Sequence, residues 1–180
     1  VRVFAEASPM TITTIATSAE TNFKDGFAFP HMAASTRAGS RVIFTGYRNS
    51  SEEIAAYSNG EFSTVAKANF NMQRGFTGLS AISSSATRTT FVGTTARGVG
   101  IYVHSADAPL ATVIESGSAG FTSVDYPSID AAGHVAFQAI RNGTAGIYAV
   151  REAGGAVVPV YNASQVLPGS GGELSPMQYN

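Results

Sequence analysis

The chain of 180 residues contains no cysteine. Disulfides, thiolate metal sites and a cysteine nucleophile are excluded together, while the compartment is left open. Charge is also scarce: Asp, Glu, Lys and Arg make up 13% of the residues and sum to a formal −1. That balance gives no electrostatic footing for nucleic acid or an anionic membrane as partner. No apolar run approaches the roughly 18 to 20 residues that a spanning helix needs. The opening VRVFAEASPM lacks the charged start and unbroken apolar stretch of a signal peptide. If the protein is exported, the expectation is a leader already removed from this numbering. Good helical runs are missing too. Ser51 to Tyr57 (SEEIAAY) offers one turn at most and reads as a turn followed by a strand.

What is present is a repeat. With 44% apolar residues the chain can bury one real core, and the apolar residues recur with a long period. A Gly-Phe pair opens each copy at Gly26-Phe27, Gly75-Phe76 and Gly120-Phe121. An aromatic closes a second strand at Phe44, Phe91 and Phe137, spaced by 47 and 46 residues. A third strand carries Tyr57, Tyr102 and Tyr148, spaced by 45 and 46, and a β-branched fourth strand centres on Val65, Val113 and Val160. Alternation such as Val42/Phe44 and Val135/Phe137 puts every second side chain on one face, as strands require. Asn142-Gly143 and Gly133 supply turns that tolerate positive φ.

Four short strands per unit of about 46 residues point to an all-β, β-propeller-like array of four-stranded blades. The expected units are 26–74, 75–119 and 120–168, with a partial blade at 1–25 and the start of another at 169–180. Phe4 and Ile15, spaced like Tyr102 and Val113, place the N-terminus in a third and fourth strand, and Glu173 to Asn180 resembles a first strand. The chain is therefore expected to begin and end inside a repeat. A β-sandwich is the rival fold, but it has no reason to repeat its strand types every four strands.

The segment Asp130-Ala131-Ala132-Gly133-His134-Val135-Ala136-Phe137 resembles the NxxGxxAF tandem repeats of bacterial surface and exported proteins, which often carry a C-terminal sorting anchor. Gly146-Ile147-Tyr148 is similar to the next strand of that family. Asp130 stands for the motif's Asn. The first copy has Arg37, Ser40 and Ile43 before Phe44, and the second has Ser84, Thr87 and Thr90 before Phe91, so these match by spacing and aromatics alone. The resemblance implies a repeat β fold, export to the cell surface or extracellular space, and no catalytic residues.

Chemistry is sparse. His31, His104 and His134 occupy different places in the repeat, with no HExxH or paired-His spacing, and read as surface or locally bonded histidines. Asp125 and Asp130 read as turn formers rather than calcium ligands. No G-x-S-x-G is present, and Gly169-Ser170-Gly171-Gly172 reads as a flexible connection. Sequons stand at Asn49, Asn142 and Asn162. The candidate binding set is Arg48, Arg97 and Arg141, each four to six residues past a second strand's aromatic. A ring of guanidinium groups suits carboxylated sugars or a neighbouring subunit, while edge protection is the plainer role. Three functions follow, none with a metal or cofactor. The first is a non-enzymatic exported structural or interaction protein that associates through open blade edges with itself or with more of a longer chain. The second is a carbohydrate-binding module with grooves between blades. The third is a propeller glycosidase or lyase with carboxylates drawn from several blades.

Overall fold

The computed structural model describes residues 27–31, 41–48, 51–69 and 75–162. Twelve strands and no helix occur among them. They run β1 Phe27–His31, β2 Val42–Arg48, β3 Ser51–Ser58, β4 Glu61–Ala68, β5 Phe76–Ser84, β6 Arg88–Thr95, β7 Gly98–Ser105, β8 Ala108–Glu115, β9 Phe121–Ile129, β10 Val135–Arg141, β11 Thr144–Val150 and β12 Val158–Asn162. Each group of four is an antiparallel meander, called here units A (β1–β4), B (β5–β8) and C (β9–β12). Units A and B are hydrogen-bonded into one eight-stranded sheet through a single parallel pair, Ala68 with Phe76, and C forms its own sheet. The two sheets are open. The expected terminal part-blades, with Phe4, Ile15 and Glu173 to Asn180, lie outside the described residues.

Turn chemistry decides where the meanders reverse. Asn142-Gly143 and Asn59-Gly60 both take left-handed backbone (φ 50° and 78°; 54° and 85°), the conformation a two-residue hairpin demands. Ser51 to Tyr57 is strand from its first residue, with Arg48 paired to Ser51, so the expected preceding turn is shorter than the sequence suggests. Irregularities repeat as faithfully as the strands. Val65, Val113 and Val160 each sit opposite a register shift between third and fourth strands. A further shift in the first strands falls at Ala81 and Tyr126, both at positive φ (44° and 47°). Such bulges add local twist at the same point in successive units.

Three layers result, with unit B buried on both faces. Ile43, Ile54, Ala56 and Val65 of A pack against Leu79, Ile82, Phe91 and Tyr102 of B. From the other face of B, Val92, Ile101, Val113 and Ile114 pack against Phe121, Phe137, Tyr148 and Val150 of C. The aromatic motif recurs: Phe76, Phe91 and Tyr102 in B, and Phe121, Phe137 and Tyr148 in C. Phe91 stacks on Tyr102 at 5.8 Å and Phe137 on Tyr148 at 6.1 Å. Phe76 and Phe121 meet these tyrosines edge-on at 4.7 and 5.0 Å.

Unit A departs from the expected pattern at Tyr57. Phe91 pairs with Tyr102 and Phe137 with Tyr148, but Phe44 pairs with Ala55, and Tyr57 pairs with Val42. Tyr57 is therefore two residues past the equivalent position. The ring is supplied instead from the fourth strand, by Phe62, 5.9 Å from Phe44 and 4.8 Å from Tyr57. Two residues before the tyrosine, B and C carry glycine, and A carries buried Glu53. A Cβ on Gly100 would stand 2.9 Å from the Tyr102 hydroxyl, and one on Gly146 would stand 2.6 Å from the Tyr161 carbonyl. Small-then-large in B and C becomes large-then-small in A, which conserves volume while moving the ring.

Candidate functional site

The three arginines expected to cluster share one end of their units but not one position. Arg48 pairs with Phe27, and Arg141 with Phe121, whereas Thr95 pairs with Phe76. Arg48 and Arg141 are thus equivalent, and Arg97 lies two residues further on, at a hairpin tip. The three hairpins are of equal length, with Thr95 paired to Gly98 as Arg141 is to Thr144 and Arg48 to Ser51, so Thr95 takes the arginine's place in B. Arg141 is committed to the fold. Its Nε donates to the Ala119 carbonyl at 3.1 Å, and its guanidinium lies 5.0 Å from the centre of the Phe121 ring. It holds the turn that joins B to C, where Phe121 N–H donates to the Ser118 carbonyl and Asn142 N–H to the Gly120 carbonyl. Arg97 is exposed, and its backbone N–H donates to Thr95 Oγ1. Beside it, Tyr102 donates its hydroxyl to Glu115 at 2.9 Å. Burial, aided by that carboxylate, pushes the phenol up to about 12, with Arg97 drawing it slightly back.

At the opposite end of the units the histidines and aspartates resolve. Asp130 caps its own turn: Oδ1 accepts from the His134 backbone N–H at 2.8 Å, and Oδ2 meets His134 Nδ1 at 2.8 Å. The backbone donation, more than the imidazole, holds the Asp130 carboxyl below its ordinary range. Asp125 Oδ1 accepts from the Tyr126 N–H at 2.8 Å, supporting that residue's positive φ. Both aspartates are turn formers, and no group of three or more acidic or histidine side chains suited to a metal occurs among the described residues. The side chains of His31 and Arg48 lie outside the described ones.

His104 departs from the expectation of a surface or locally bonded histidine. It is half-buried between units A and B, with Nδ1 buried and unpartnered. Two more buried polar atoms in the same state, Arg41 Nη1 and Thr89 Oγ1, come from the strand ends around it. Thr89 pairs with Ser84 on one side and His104 on the other. The residues one repeat later were the available signal: Arg41 aligns with Arg88, while Thr89 and His104 align with Val135 and Val150. Polar side chains thus stand where the third copy is apolar.

The sequence matches no protein-family model and no curated protein. Among solved structures, a crystal structure of a nidogen/laminin complex aligns with a TM-score of 0.48 at 11% identity, over 78% of this chain and 49% of that one. The chain thus spans about half the length of that chain. The described residues contain no helix long and apolar enough to cross a membrane.

Proposed function

We propose that this chain is a non-enzymatic structural or interaction module of an exported protein, a run of propeller-like blades whose outer face docks a further four-stranded unit of the same repeat. One series of exposures carries this reading. Ile54 of A and Ile101 of B are 0% exposed, each beneath the next unit, while the equivalent Ile147 of C is 40% exposed. Likewise Val65 and Val113 are 6% and 5% exposed, and Val160 is 61% exposed. The face that A and B each bury is open in C. The NxxGxxAF resemblance of Asp130 to Phe137 supports export and a tandem array. The contact surface is the face of unit C as well as the β12 edge, where the sequence had suggested edges alone.

Burying Ile147 and Val160 contributes on the order of 3 kcal/mol. That is small against the entropy of bringing two molecules together, so separate copies associate weakly and a linked unit docks well. Sedimentation velocity on the 180-residue chain over a wide concentration range tests the reading. Concentration-dependent association abolished by Ile147→Asp with Val160→Asp is the expected result. A wild-type chain that stays monomeric at its solubility limit, with Ile147 and Val160 still open to hydroxyl-radical footprinting in native material, overturns it.

A further inference from the structure

The A–B interface holds three buried polar atoms with no hydrogen-bond partner: Arg41 Nη1, Thr89 Oγ1 and His104 Nδ1. Orphaned groups of this kind are rare and need an occupant or an explanation. Their placement follows from the register. Thr89 stands two residues before Phe91, and His104 two after Tyr102, so both side chains share the face of B that packs on A. Thr89 is 0% exposed.

Arg41 arrives from unit A. Its counterpart Arg88 spans the next interface and donates from Nη1 to the Ala132 carbonyl at 2.9 Å. That reach depends on Gly133, because a Cβ there would stand 1.5 Å from Arg88 Nη1. In the β5–β6 turn the residue at the matching sequence position is Thr87. Arg41 Nη1 has no such acceptor, and its charge acts on His104. No carboxylate pairs with Arg41 among the described residues. Water could satisfy the bonds but would leave the charge unbalanced.

We infer that the A–B interface is a binding site for a small oxyanion, a carboxylate or a tetrahedral anion such as phosphate, held by the Arg41 guanidinium, the Thr89 hydroxyl and the His104 imidazole. Guanidinium and hydroxyl donors are the set that oxyanions take. The B–C interface cannot serve the same role, because Val135 and Val150 replace Thr89 and His104, and Arg88 is already engaged.

Isothermal titration of the full chain with inorganic phosphate, and separately with acetate, at constant ionic strength near neutral pH tests the inference and separates the two anion classes. Saturable binding at one site per chain is expected, for at least one of the two. It should weaken at least tenfold in Arg41→Gln and in Thr89→Val with His104→Val, and stay unchanged in the surface variant Arg97→Gln. Should Arg41→Gln fail to fold, the double variant still decides, since it installs side chains that unit C already accommodates. Heats that do not saturate for either anion, or equal affinity in the wild type and the double variant, overturn the site and leave water as the occupant.

Discussion

The interfaces A–B and B–C are built from the same strands in the same register, yet one is sealed and the other carries unpaired polarity. In B–C, Arg88 lies over Gly133, bonds Ala132 and leaves Val135 and Val150 to close the core at 2% and 1% exposure. In A–B, Thr87 replaces the glycine, Arg41 loses its carbonyl, and Thr89 and His104 replace the valines. The turn that receives the arginine differs in both sequence and length, with five residues between Ile129 and Val135 against four between Ser84 and Thr89. The arginine is bonded in one case and free in the other. The repeat conserves the aromatic layer and lets this end vary.

The largest expected effect tests what the two interfaces share. Phe91 and Phe137 are 0% and 1% exposed and stack on their tyrosines in the same way. Phe→Ala at either should lower stability by about 3 to 5 kcal/mol, read as the shift in a urea or guanidinium unfolding midpoint. If the units fold together, both variants shift one common transition. Two separated transitions, each sensitive to only one variant, would show instead that each interface melts alone.

Next in size is the conversion of the sealed interface into the polar one. Gly133→Thr should destabilise by about 1 to 3 kcal/mol, because its φ of +91° disfavours a side chain and the Cβ meets Arg88 Nη1. Repeating the substitution with Arg88→Ala should recover part of the loss, which a double-mutant cycle measures. Additive losses would mean that backbone strain alone decides the site.

How far this comparison could be read from the chain follows from which interactions have a period. The four-strand unit, the Asn142-Gly143 turn and the Asp130 cap were legible because local backbone needs and two-residue alternation leave direct marks. Tyr57 was not placed correctly. Its spacing to Tyr102 looked regular only because Glu53 and Ala55 exchange sizes relative to Gly100 and Tyr102, a change visible in cross-strand pairing and not in spacing. Arg97 was misaligned for another reason: the hairpins are equal in length, and a window of four to six residues past the aromatic spans both the last strand position and the turn beyond it. The polar set at Arg41, Thr89 and His104 joins two units through side chains far apart in sequence, and only superposing the copies position by position exposes it.

A smaller effect sharpens the comparison in the other direction. Thr89→Val places the residue of unit C in unit B. Removing a buried hydroxyl without a partner while filling the same volume should stabilise the anion-free protein by about 1 kcal/mol, seen as a raised denaturation midpoint. The same change in saturating oxyanion should lose that gain. A fall in stability without anion would mean that Thr89 has a partner in solution, and the contrast with Val135 would need another cause.

The smallest effect is the dependence on pH. Burial first, and the Arg41 charge second, hold the His104 imidazole below its ordinary value of 6.5. Arg41, just before β2, is the charged group acting on it, and the neighbouring Thr89 is neutral. A base whose folded pKa is depressed favours folding while it is neutral, so this contribution is complete above the unfolded value near 6.5. As the pH falls below that value the unfolded chain takes up the proton first, and stability declines until the pH passes the folded pKa. His104→Val should remove this slope, while the Asp130 cap acts only in a more acidic window, because its carboxyl is held below 3.8. Bound sulfate, which does not titrate here, would oppose the decline by stabilising the protonated imidazole. Unfolding midpoints between pH 7.5 and 5, in chloride and in sulfate, compare the wild type with His104→Val. A wild-type slope that is flattened by sulfate and by the substitution alike ties the polar interface to its anion. A slope that the substitution leaves intact assigns the acid sensitivity to a group outside this interface.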